Sequence, residues 1–111
     1  MMRIEAFIQP HKLGKVVSAL HELPKFPGFT LLEAHGQGHG RGSGGEYVYD
    51  PSDGLLYHKR IVLIVICERD EADLIARTIA QSAHTGNRGD GLVAMSEVSH
   101  VARIRHSGDK A

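Results

Sequence analysis

Apolar and polar residues alternate from Arg3 to Gln9, with Ile4, Ala6 and Ile8 on one side and Arg3, Glu5 and Phe7 on the other. Period two predicts a half-buried strand. Pro10 ends it, and Leu13, Val16, Val17 and Leu20 recur at helical spacing, predicting an amphipathic helix from about Lys12 to Glu22 that Pro24 stops. A second alternating run covers Phe29 to His35. Ile61 to Cys67 is a continuous apolar, β-branched run, which suits a central strand covered on both faces. A second helix starts at Asp70 or Glu71 and ends near His84, carrying Leu74, Ile75, Ile79 and Ala83 inward. A glycine-rich turn, Thr85 to Gly91, leads to a fourth strand, Leu92 to Glu97. Val98 to Arg105 reads as a short extended or turn segment.

The order β-α-β, long loop, β-α-β in one chain of 111 residues predicts a single α+β domain with the ferredoxin-like βαββαβ sandwich, one antiparallel sheet covered on one face by two helices. Phe7, Phe29, Leu31, Val62 and Ile64 exceed what two helices can hide. Self-association is the simplest way to bury them. The stretch from Gly36 to Gly54 holds seven glycines together with Pro51, Ser52 and Asp53, so a long flexible loop spanning about 36–58 is expected there. Loops of that length in a small domain tend to carry function.

Composition narrows the function. Thirteen Lys plus Arg balance thirteen Asp plus Glu, without the basic excess that duplex nucleic acid usually demands. The single cysteine, Cys67, forms no intrachain disulfide, so a reducing cytoplasm is the default location. No apolar run is long enough for a membrane span. No serine sits in a nucleophile-elbow context and no carboxylate pair suggests a cleft, so catalysis is not expected.

Three features carry candidate chemistry. The ladder Gly36-x-Gly38-x-Gly40-x-Gly42 follows a strand but leads into loop rather than helix, which argues against a dinucleotide fold; no Walker A motif is present either. The turn Thr85-Gly86-Asn87-Arg88-Gly89-Asp90-Gly91 has glycines that let backbone amides converge as a phosphate nest does. Arg60, Arg88, Arg103 and Arg105 strengthen that reading, because on an extended segment Arg103 and Arg105 face the same side and grip a polyphosphate together. His35, His39 and His58 flank or occupy the glycine loop and are candidate ligands for a transition metal such as Zn, Cu or Ni, although no tight metal signature is present.

Apart from His58 and Arg60, these residues lie in segments that resemble the PII signal-transduction family: FTLLEAHGQGHGRG, AHTGNRGDG in place of a TGxxGDG loop, and ARIRHSG in place of an IRIRTG ending, with RIEAFIQPHKL matching at the N-terminus. The resemblance covers nearly the whole chain. It implies a compact homotrimer that binds an adenine nucleotide (ATP, ADP or AMP) in clefts between subunits. The loop of 36–58 would be the effector-reading T-loop that docks on a regulated partner, a membrane transporter or an enzyme. Carried over by position, Gly36 and Gly38 approach the nucleotide from the loop base and Thr30 lies near the adenine. Gly86, Gly89, Asp90 and Gly91 wrap the nucleotide, and Arg60 stands for a phosphate-binding lysine. Arg103 and Arg105, in a C-terminal segment of 101–108, reach the phosphates from the adjacent subunit. Whether Mg2+ accompanies the nucleotide is left open.

The departures are specific. His39 and Gly40 stand where the family has the Arg-Gln pair that helps to hold Mg-ATP and 2-oxoglutarate, so the resemblance carries no 2-oxoglutarate site to this chain. Leu92 replaces a phosphate-contacting lysine. Tyr47 and Tyr49 match the family's modified tyrosine only loosely. Together with the loop histidines, these changes point to a PII-like branch linked to metal efflux or bicarbonate as the alternative reading.

Overall fold

A computed structural model describes residues 1–36 and 58–106. The element order is β1 (Met2–Ile8), a 3-10 turn at Pro10–Lys12, α1 (Leu13–His21), β2 (Thr30–Gly36), β3 (His58–Cys67), α2 (Arg69–Ala83), β4 (Leu92–Glu97) and a 3-10 turn at Ile104–His106. The strands form one antiparallel sheet in the order β2-β3-β1-β4. Both helices lie on one face of it, which is the ferredoxin-like arrangement expected from the sequence.

Alternation in β1 sends Met2, Ile4, Ala6 and Ile8 into the core, and cross-strand pairing brings Ile61, Leu63, Val65 and Cys67 of β3 beside them. Val16 and Leu20 of α1, four residues apart, and Ala72, Ile75, Ile79 and Ala83 of α2 close over this surface. Leu74 does not join them; one residue before Ile75, it sits about 100° round the helix and is 44% exposed. Ser82 is accommodated in the core because its hydroxyl donates back to the carbonyls of Thr78 and Ile79. Cys67 is buried among the same side chains, and desolvation pushes its thiol pKa upward.

The opposite face of the sheet has no layer over it among the described residues. Pairing of Thr30 with Ile64 and of Leu32 with Val62 puts Thr30 and Leu32 on this face, along with Phe7 and Leu92. Phe29 and Leu31 were expected here and belong instead to the helix side, since a shift of one residue reverses every side chain. Phe29 packs against the core, and Leu31, opposite Leu63, stays partly exposed at the sheet edge. The β3 run is central, but its second face is only partly covered: Val62 is buried, Ile64 is half-buried and Ile66 is 38% exposed.

Candidate functional site

The turn between α2 and β4 is organised by one carboxylate. After His84 takes an extended conformation, Asp90 accepts hydrogen bonds from the backbone amides of Thr85 and Gly86, both at 2.9 Å, and from the Thr85 hydroxyl. The Asn87 amide in turn donates to the Thr85 hydroxyl oxygen at 3.1 Å. The Thr85 hydroxyl, then its amide, followed by the Gly86 amide and nearby His84, hold the Asp90 carboxyl down to a pKa of about 2. Thus the amides at the start of the turn converge, as expected, but on Asp90 rather than on an open phosphate nest.

Gly86, Gly89 and Gly91 all have φ near +90°. At Gly91 sterics add to conformation, because a Cβ there would lie 1.7 Å from the carbonyl oxygen of Phe7. That close approach lets β4 enter the sheet directly, with Leu92 opposite Phe7. A cavity of about 300 Å³ opens behind the turn, walled by Phe7, Ala80, Ala83, Leu92 and Val93, with His84 and Asp90 also lining it.

The turn is tied to the sheet through the carbonyl oxygen of Gly89. Gln9 donates to it from Nε2 at 3.0 Å and Arg60 from one guanidinium nitrogen at 3.2 Å; the other terminal nitrogen of Arg60 donates to the carbonyl of Lys59 at 2.9 Å. Arg60 therefore braces the turn, with two of its five N–H donors engaged. Gln9 is a residue that sequence reasoning missed. Its signal lies in the β1–β3 register: Ile8 pairs with Ile61, so one further step sets Gln9 across from Arg60.

The other expected site residues fall in three places. Arg88 is exposed on the turn and forms no ion pair among the described residues. Thr30 lies on the open face of β2, four residues from Ala34, the partner of Arg60. Gly36 pairs with His58 at the end of the β2–β3 hairpin, while Gly38, His39, Tyr47 and Tyr49 lie outside the described residues. His35 pairs with Lys59 and His58 with Gly36, so strand alternation sets the two histidines on opposite faces. Among the described residues no group of three His, Cys, Asp or Glu is placed to hold a metal ion.

Among the described residues no hydrogen bond or ion pair joins Arg103 or Arg105 to the turn. β4 leaves the turn opposite Phe7 and ends opposite Met2, and the Val98 amide then bonds to the Met1 carbonyl, roughly 20 Å along the strand at about 3.3 Å per residue. Nor do the two arginines lie on an extended segment. Residues 104–106 form a 3-10 turn closed by the His106 amide on the Arg103 carbonyl, and its threefold period separates side chains two apart. Both arginines and Ile104 are exposed, Ile104 by 90%.

Comparison with known proteins matches residues 1–108 to the model of the family described as nitrogen regulatory protein P-II. The chain is 37% identical to a nitrogen regulatory protein P-II of Azospirillum brasilense over 99% of its own length and 96% of the relative's. It is 38% identical to nitrogen regulatory protein P-II 2 of Methanothermobacter thermautotrophicus, with 100% and 96% covered. To P-II 1 of Escherichia coli K12 the identity is 33%, with 95% and 92% covered.

Proposed function

Because this chain belongs to the nitrogen regulatory protein P-II family, whose members are signal-transduction regulators and not enzymes, we propose that it is a cytoplasmic, homotrimeric sensor of adenine nucleotides. ATP, ADP or AMP binds between subunits, and nucleotide identity sets how residues 36–58 dock on a transporter or an enzyme. The observation that carries this reading is the division of the arginines. Arg60 and Arg88 stand at the turn, whereas Arg103 and Arg105 leave from the far end of the sheet. One chain builds half of a polyanion site, and a second copy supplies the rest.

The open sheet face supports the assembly, since Phe7, Leu32, Ile66 and Leu92 present apolar surface there that a neighbour would bury. Regulation follows from differential binding: a nucleotide shifts the 36–58 segment only by the difference between its contacts in two states. The nucleotide reading is favoured over the metal one, in which His35, His39 and His58 would act as a set, because strand alternation separates His35 from His58.

A thermal-shift panel of ATP, ADP and AMP, with and without Mg2+, and of Zn2+, Cu2+ and Ni2+, joined to light scattering, tests the proposal. The expected result is a saturable upward shift with at least one nucleotide and a mass of three chains. A monomer indifferent to every adenine nucleotide overturns it.

A further inference from the structure

The Gly89 carbonyl accepts from two side chains, one just past the end of β1 and one within β3. Gln9 follows the last residue of β1, and Arg60 lies third in β3, two residues after the point where β3 begins at His58. Arg60 is also bonded to the carbonyl of Lys59, its own neighbour, so one planar guanidinium spans the entry of β3 and the turn. The fit is close: a Cβ on Gly89 would stand 3.3 Å from the Arg60 nitrogen and 3.8 Å from Gln9 Nε2. On the other side of Gly89 the turn is held by Asp90. A displacement of the turn therefore moves Gly89 against a fork whose second prong holds the start of β3.

We infer that Gln9 and Arg60 form a positioning clamp that couples the 85–91 turn to residues 58–60, so that a ligand seated on the turn is felt where the chain emerges from the 37–57 segment. The inference rests on the nucleotide reading for the identity of that ligand; the clamp itself rests on the three hydrogen bonds. The fork is what matters in it. A lysine at position 60 keeps the charge but has a single ammonium on a flexible stem, which cannot hold two carbonyls in one plane. Loss of Gln9 leaves the Gly89 carbonyl held from one side only.

Hydrogen exchange read by mass spectrometry on the wild type, Arg60→Lys and Gln9→Met, each with and without ATP, tests the clamp. In the ligand-free state both variants are expected to exchange faster than wild type in peptides covering 58–61 and 85–91 together, by about threefold or more. With ATP, wild type is expected to gain protection in both peptides, and the variants in the 85–91 peptide alone. Unchanged ligand-free exchange in both variants, or ATP protection of 58–61 in Arg60→Lys equal to that in wild type, overturns the clamp. Absence of any ATP effect on wild type overturns the nucleotide reading instead, and the ligand-free comparison then decides the clamp on its own.

Discussion

Two arginine-bearing regions of this molecule are built in opposite ways. The 85–91 turn is fixed from within, by three donors on Asp90, by Gln9 and Arg60 on Gly89, and by the approach of Gly91 to the Phe7 carbonyl. Among the described residues, the segment after β4 is joined to the sheet by the backbone bond from Val98 to Met1, and residues 99–106 are exposed. Both carry cationic groups suited to phosphate, yet only the first has its geometry specified by its own chain. Under the proposed function this contrast has a use: the turn would set where the nucleotide sits, and the segment after β4 would contribute its arginines to the site of a neighbouring copy.

The contrast is broken most severely at Gly91. Gly91→Ala drives a Cβ into the Phe7 carbonyl at a φ of +98°, and is expected to cost at least about 3 kcal/mol, seen as a melting point lower by 10 °C or more or as failure to fold. The tail should behave in the reverse manner. Arg103→Ala and Arg105→Ala are each expected to weaken ATP binding by ~10-fold in calorimetry while leaving the ligand-free melting point unchanged, since neither side chain is packed. Unaltered affinity in both variants would remove the tail from the site.

Smaller changes sharpen the picture of the turn. Gly86→Ala shares the positive φ of Gly91 but meets only the His84 ring, at 3.7 Å, so about 1 kcal/mol of backbone strain is expected from a denaturant titration. Comparison of the two alanine variants separates conformational strain from collision. For Asp90 the sign follows from its lowered pKa. The folded state binds the proton less readily than the unfolded chain, whose carboxyl has the usual value near 3.8, so the carboxylate stabilises the fold fully above about pH 5, and that contribution disappears as pH falls through about 2. Asp90→Asn is therefore expected to melt a few degrees below wild type at pH 7 and to match it near pH 2. A gap that persists at pH 2 would show that the charge is not what holds the turn.

Much of this was legible in the sequence because burial imposes a period. β1 reads directly from its alternation, and the fourth strand has the bounds Leu92–Glu97 that were expected. Where burial is weak, the pattern misleads. β2 is an edge strand with exposed residues along most of its length, so its alternation does not reveal which side meets the helices, and Phe29 and Leu31 were assigned to the wrong face. Leu74 shares the helical spacing expected of the inward set, but its angle from Ile75 and Ile79 places it on the flank. In the candidate site, the turn is legible from its glycines, three of which have positive φ. The tertiary partner of the turn, Gln9, is not, because a single polar side chain at a strand end has no periodic signature. The relation of Arg103 to Arg105 was misjudged for a related reason: nothing in RIR distinguishes an extended segment from a 3-10 turn when neither packs on the sheet.

The position of Cys67 has a practical corollary. The chain's one native thiol is 5% exposed under α2 and is kept protonated by desolvation, so it should be a poor target for maleimide reagents at neutral pH. A cysteine introduced at Ile104, 90% exposed, would then accept a fluorophore almost alone. That gives a single-label reporter on the tail without first removing the native thiol, through which the proposed contact of the tail with a neighbouring copy could be tested in real time.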